Sequence, residues 1–284
     1  MILVTGATGT VGTELVKALA AQGAPVRALV HTPAKAATLA GPGVEIVAGD
    51  YLDAASLDAA LVGVNHVFLL APPAENQVAM ETGVIAAAQR AGVEHVVKLA
   101  ANGLSLDSPV ALLRNHATIA ETLRTSGLGW TLLVANEFMQ NLLAQAAAIK
   151  AGTLYMPLGE GKVSLIDTRD VALAAAALLT QPGHQGKSYL VTGPAALSMQ
   201  DVADILTQVL GRKISYVAVS PEAAQEALLG MGLPAWLVEQ LLGLMAGWAA
   251  GNSEPVTTDF RQITGQEPRA FIQFVHDYAA VWGG

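Results

Sequence analysis

The sequence predicts an α/β fold, a doubly wound parallel sheet with a smaller, mainly helical C-terminal part. Over residues 1–152, short β-branched runs alternate with stretches of helical period, the pattern of βαβ units. A glycine-rich turn joins the first strand directly to the first helix, and from residue 153 the rhythm changes to Gly- and Pro-rich turns followed by longer helices.

Strands are expected at residues 2–5, 26–30, 44–47, 66–70, 95–99 and 130–134, with crossover helices between them. The first helix places Val11, Leu15, Ala18 and Leu19 at i, i+4, i+7 and i+8, and Gly23 stops it. Residues 1–152 form the dinucleotide-binding domain of this scheme. Residues 153–284 form the smaller, substrate-binding part, with interleaving of the two left open. There Ser198 and Asp201 make a capping box ahead of Val202, Ile205, Leu206 and Val209, and Gly211 closes that helix. Ser220 and Pro221 open another. Residues 228–248, dense in Leu, Met and Trp, read as helical core of the second domain, with the lid of an apolar pocket or a subunit contact as alternatives.

A chain of 284 residues, 52% hydrophobic and 13% charged, builds a sizeable core, which excludes disorder, a coiled coil and a disulfide miniprotein. With 15 basic against 23 acidic residues the net charge is −8, the wrong sign for neutralising nucleic-acid phosphates. There is no cysteine, hence no disulfide, thiolate nucleophile or Cys-ligated metal. The longest apolar runs, such as residues 171–179, fall short of the roughly 18–20 residues a membrane span needs. No basic leader precedes the first strand, so a cytoplasmic protein, monomer or homodimer, is expected.

The turn after the first strand reads Gly6-Ala7-Thr8-Gly9-Thr10-Val11-Gly12. A tight turn, close approach of backbone N–H groups to a pyrophosphate, and close helix-to-strand packing each require a missing side chain, and the helix N-terminus adds partial positive charge. Gly6, Thr8, Gly9, Thr10, Val11 and Gly12 are therefore expected to hold a dinucleotide in a Rossmann fold. An NAD site commonly places a carboxylate about 20 residues past the glycines. Between Glu14 and Glu45 there is no acidic residue, whereas Arg27, His31 and Lys35 lie on or just after the second strand. NADP(H) is accordingly expected over NAD(H), with these three residues near the 2′-phosphate.

Several chemistries lack their parts. The residues four places after Tyr51, Tyr155, Tyr189, Tyr216 and Tyr278 are Ala55, Gly159, Gly193, Ser220 and Trp282, so no Tyr-x-x-x-Lys proton donor exists. There is no Gly-x-Ser-x-Gly elbow and no His-Glu-x-x-His helix, and the six histidines lack ligand spacing, so no metal is expected.

Further motifs carry a family likeness: Val4-Thr5-Gly6-Ala7-Thr8-Gly9-x-x-Gly12, Gly49-Asp50, Ser126-Gly127-Leu128-Gly129-Trp130-Thr131, Phe138-Met139-Gln140-Asn141, and Asp167-Thr168-Arg169-Asp170-Val171-Ala172. In these the chain resembles the atypical short-chain dehydrogenase/reductases of the NmrA-like group, in the branch of quinone and triphenylmethane-dye reductases. The resemblance implies that Asp50 and Tyr51 sit by the adenine and that Ala71 and Pro72 flank the ribose. It implies a substrate pocket at Asn136, Phe138, Met139 and Asn141, and a polar, catalytic position at His116, for which a surface or helix-terminal histidine is the alternative. Relatives often carry Arg where His31 stands and Arg-Pro where Val134-Ala135 stands. The implied activity is NAD(P)H-dependent hydride transfer to an electron-poor acceptor such as a quinone or cationic dye; the alternative is a non-catalytic NAD(P)-binding redox sensor. Lys98, near the end of the fifth strand, either orients the nicotinamide ribose as a catalytic residue or reaches solvent. Asp170 is expected to cap the helix that follows it.

Overall fold

The computed structural model describes residues 1–32, 36 and 38–283. Its strands are β1 (Ile2–Val4), β2 (Val26–Val30), β3 (Val44–Ala48), β4 (His66–Leu69), β5 (His95–Ala101), β6 (Gly129–Ala135), β7 (Thr153–Met156), β8 (Lys162–Val163), β9 (Lys187–Val191), β10 (Leu197–Ser198) and β11 (Ser215–Ala218). Its helices are α1 (Thr10–Ala21), α2 (Ala54–Ala60), α3 (Gln77–Ala91), α4 (Ala111–Thr125), α5 (Ala146–Lys150), α6 (Thr168–Thr180), α7 (Met199–Leu210), α8 (Pro221–Gly230), α9 (Ala235–Ala249), α10 (Asp259–Thr264) and α11 (Phe271–Asp277).

The chain divides into two compact units, the first made of Met1–Asp107, Leu113–Val134 and Thr168–Tyr189, the second of Ser108–Leu112, Ala135–Asp167 and Leu190–Gly284. The division is interleaved rather than a single cut after residue 152, because α6 belongs to the first unit. Its apolar run is buried nearly all round and packs against α1, as a helix without a polar face must.

The first unit carries a seven-stranded sheet in the order β3-β2-β1-β4-β5-β6-β9. The pairs β1–β2, β2–β3, β1–β4 and β4–β5 are parallel, so the strand order reverses beside β1 and opens a crevice at the carboxyl ends of β1 and β4. All six expected strands are present. The seventh, β9, was not foreseen because it is an edge strand whose first residues are exposed, so it lacks the continuous apolar run of a buried parallel strand. On α1 the buried face is Val11, Gly12, Leu15, Val16 and Leu19, each large side chain contributing about 1.5–3 kcal/mol through burial.

The second unit is mainly helical, with a parallel pair β7–β11 and an antiparallel pair β8–β10. Its core gathers Met139, Ile149, Leu154, Leu206, Phe274 and Trp282. The capping box on α7 forms as expected: Ser198 Oγ accepts the Asp201 N–H at 3.1 Å, and Asp201 Oδ2 accepts the Ser198 N–H at 2.9 Å. The bonds from Ser198 hold the Asp201 carboxyl below its usual range. Ser220 caps α8 through the Ala223 N–H, with Pro221 in the first turn. Asp170 is not the cap of α6. The helix begins at Thr168, so Asp170 lies buried in its first turn, where the helix dipole favours a carboxylate. No described helix is long and apolar enough to cross a membrane.

Replacing Ser198 by Ala removes the acceptor for the Asp201 amide and one half of a reciprocal pair. Thermal unfolding of S198A is expected to show a loss of about 0.5–2 kcal/mol with the far-ultraviolet circular dichroism retained.

Candidate functional site

At the β1 carboxyl end the chain enters the loop through Gly6, whose φ of +62° is a left-handed conformation, and a Cβ there would stand 2.9 Å from the Leu70 carbonyl. At Gly12 a Cβ would fall 2.1 Å from the Gly6 carbonyl, so this glycine lets α1 close on the turn. Gly9 differs. A Cβ there would meet only the Gly6 carbonyl at 3.2 Å, and Thr8, Gly9 and Thr10 are exposed. No side chain caps the N-terminus of α1 and no acidic residue occupies its first turn, so amide donors and dipole are left for an external anion.

The Tyr51 side chain holds the loop from beneath. The Gly6 N–H donates to the Tyr51 hydroxyl at 2.8 Å, and that hydroxyl donates to the Leu70 carbonyl at 2.8 Å. Burial pushes the Tyr51 phenol up to about 12, so it stays a neutral donor and acceptor. The Thr5 hydroxyl lies 3.0 Å from the carbonyl oxygens of Phe68 and Leu70 and accepts the Leu70 N–H at 2.8 Å. Tyr51, expected by the adenine, is thus committed to the backbone of the loop.

Asp50 is half-exposed and faces His31, with Nε2 to Oδ2 at 3.7 Å just beyond β2, so these two residues share the ligand edge of the sheet. Arg27 does not join them. It sits opposite Leu3, toward the amino end of β2, where it pairs with Glu45 at 2.9 Å and donates to the carbonyls of Ala60 and Val62. A guanidinium so engaged, one residue into a strand, is turned to the wrong edge for a 2′-phosphate. Lys35 lies outside the described residues. Ala71 is buried and Pro72 exposed at the turn after β4.

Below that turn lies a buried cluster with one member that sequence reasoning missed, Glu81. Lys98 Nζ stands 2.8 Å and 3.0 Å from the two Glu81 carboxylate oxygens and donates to the Leu99 carbonyl; His116 Nδ1 is 3.3 Å from Nζ. Glu81 also accepts from the Ala71 N–H and from Gln77 Nε2, both at 3.3 Å. Burial raises the Glu81 carboxyl and lowers the Lys98 ammonium, outweighing their mutual attraction. Burial and then the Lys98 charge push His116 well below the usual histidine range, so its ring is neutral and can accept from Nζ. The structure brings Lys98 and His116 together, and both are buried. The signal was available. Glu81 occupies an apolar position on α3 beside Met80, Val84 and Ile85, and Lys98 interrupts the run Val96-Val97-Lys98-Leu99.

The second unit encloses a cavity of about 380 Å³, walled by residues of that unit alone. Phe138 and Asn141 line it, and residues 228–248 contribute Leu228, Met231, Leu233, Leu241, Met245 and Trp248, so that stretch is a wall of this cavity. Met139 and Asn136 do not line it. Met139 is 1% exposed within the core, and the Asn136 amide is consumed by Ser164 Oγ at 2.7 Å and the Ser253 carbonyl at 2.8 Å. Glu137 is the second residue that the sequence did not single out. It lines the cavity, accepts from Asn141 Nδ2 at 2.7 Å, and is raised by burial to about 7.

The NmrA-like family model matches residues 1–256. The chain belongs to the NmrA-like family. Among its NmrA-like relatives, the NAD(P)H azoreductase of Xenophilus azovorans is 43% identical over 284 residues, covering 100% of this chain and 99% of that protein. The NADPH-dependent quinone oxidoreductase of Escherichia coli, solved with NADPH, superposes with a TM-score of 0.90 at 30% identity, covering 98% and 100% of the two chains. The triphenylmethane reductase of Citrobacter sp., solved with NADP(H), gives 0.88 at 27% identity, covering 98% and 99%.

Two expectations follow for this NmrA-like chain. Tyr51→Phe leaves the Gly6 N–H and the Leu70 carbonyl without their shared partner, which costs about 1–3 kcal/mol. The loss is expected as weaker cofactor binding by calorimetry, with the fold kept. Lys98→Met strands a buried carboxylate and is expected to cost about 3–5 kcal/mol in chemical denaturation, whereas the double variant Glu81→Gln/Lys98→Met recovers part of that loss.

Proposed function

We propose that this chain is an NAD(P)H-dependent reductase, favouring NADPH, that reduces electron-poor aromatic acceptors such as quinones, azo compounds and cationic dyes. The observation that carries the reading is the full-length likeness to the NAD(P)H azoreductase, supported by the likeness to the quinone and triphenylmethane reductases. The residues present fit a dinucleotide. The uncapped amides at the start of α1, from Thr10 onward, offer donors to a pyrophosphate, and Gly9, whose own N–H is taken by the Gly6 carbonyl at 3.0 Å, leaves that approach clear of a side chain. His31 and Asp50 stand at the ligand edge, next to where a ribose would lie. When bound, the nicotinamide supplies the hydride.

The chain's own contribution is then to hold and orient. Tyr51 and Thr5 fix the loop that takes the diphosphate. The Glu81–Lys98–His116 cluster fixes the Ala71 amide and with it the turn that would flank the ribose. The cavity of the second unit takes the acceptor, its apolar walls excluding water from the aromatic body. No Tyr and Lys pair is available to protonate a simple alkoxide, so ketones should be poor acceptors, since a positioned acid is worth on the order of 10² to 10⁴ in rate.

Initial rates with a quinone, an azo dye, a triphenylmethane cation and an unactivated ketone, each with NADPH and with NADH, test the reading. Acceptor-dependent oxidation, faster with NADPH, and slow ketone turnover are expected. Gly9→Val should abolish cofactor binding in a folded protein. Absence of oxidation with every acceptor, or tighter binding of NADH, contradicts the proposal.

A further inference from the structure

Resting on the reading of the second-unit cavity as the acceptor site, we infer that Glu137 sets its charge preference. The cavity admits aromatic molecules that carry a cationic nitrogen and rejects those that carry an acidic group.

The walls are adaptable and apolar. Met156, Met199, Met231 and Met245, four of the seven methionines in the chain, line the cavity together with Phe138 and Trp248. Methionine side chains are flexible and polarisable, so they conform to aromatic bodies of differing outline, and aromatic faces attract a cation. At about 380 Å³ the space lies within the usual range for small-molecule sites, roughly 300–1,000 Å³.

Against that background one side chain carries the charge. Every other described residue lining the cavity, whether from the strands β7 and β8, the helices α7, α8 and α9, or the segments between them and after β6, is uncharged. Oε1 of Glu137 accepts from Asn141, and among the described residues no ion pair or further side-chain hydrogen bond reaches this carboxyl. The shift of this carboxyl comes from burial, opposed only by the Asn141 bond, with no cation of the protein contributing. An ionised carboxylate at an apolar wall is costly to leave unpaired. A cationic ligand supplies the missing charge, an acidic one brings two like charges together, and a neutral one is indifferent to it. The net charge of −8 acts on all ligands from a distance and is screened by salt, unlike a contact inside the cavity.

The test uses cofactor-free protein with two probes, crystal violet and a sulfonated triarylmethane of the same ring framework. Binding is followed by tryptophan fluorescence, since Trp248 lines the cavity, and by calorimetry. The unaltered chain is expected to prefer the cation, and the preference to grow from about pH 6 to about pH 8 as the carboxylate fraction rises through the Glu137 titration at about 7. Glu137→Gln keeps the shape and the acceptor for Asn141, and should reduce the ratio of cation to anion affinity at least about tenfold and flatten its pH dependence. Glu239→Gln, on the exposed side of α9, changes the net charge equally and should leave the ratio intact. Circular dichroism confirms that both variants fold. An unchanged ratio in Glu137→Gln, an equal change in Glu239→Gln, or no cation binding by the unaltered chain overturns the inference. The reading on which it rests fails on a separate result, the absence of acceptor-dependent NADPH oxidation.

Discussion

The Tyr51 hydroxyl, bonded to the Gly6 amide on one side and the Leu70 carbonyl on the other, joins the carboxyl ends of β1 and β4 where the strand order reverses. The crevice there exists because successive connections leave the sheet in opposite directions, and the same divergence strips these backbone groups of ladder partners. Tyr51 and Thr5 supply the partners that the sheet cannot. With Gly6 anchored, its carbonyl stands where Gly12 must pass without a side chain, and α1 can begin close against the strand with its amides uncapped. The open, uncapped amides at the start of α1 are thus a consequence of how buried polar groups are satisfied beneath the loop.

The two units treat buried carboxyl groups in opposite ways. In the first, Glu81 is met by the Lys98 ammonium at both oxygens, by an amide and by Gln77, and the neutral His116 closes the other side of the ammonium. Such a group is structural currency: breaking it strands a charge, while keeping it fixes the turn at Ala71. In the second, the Glu137 carboxyl has Asn141 as its hydrogen-bond partner among the described residues. One buried acid is thus met by an ammonium of the protein, while the other, at a cavity wall, has no cation of the protein among the causes of its shift and stands where the charge of a ligand could meet it.

What was legible in the sequence was local. The glycine spacing, the Ser198–Asp201 box and the Ser220–Pro221 helix start each depend on residues within a few positions of one another, and each formed as expected. Arg27 was misplaced because a charge count over an interval does not say which end of a strand a side chain serves, and the second residue of β2 serves the amino end. Glu81 and Lys98 lie 17 positions apart and on different elements, so their pairing emerges only once α3 packs on β5. Glu137, placed just after β6 between Asn136 and Phe138, looks in sequence like a polar turn residue. Its chemistry comes from the apolar walls folded around it from residues up to Trp248.

Rigidity and adaptability are therefore assigned to different chemistries. The cofactor edge is built from short hydrogen bonds and glycines whose replacement meets backbone atoms, a construction that tolerates one ligand geometry. The cavity is built from methionine and leucine side chains, which can repack around a new outline at modest cost, with a single carboxyl to impose a polarity on whatever enters. A reductase needs its hydride donor held in one position but gains range from an acceptor pocket that reads charge before shape. On this division, changes in acceptor range within the family should arise at the flexible wall and at position 137, while the loop between Gly6 and Gly12 is constrained by the backbone it leans on.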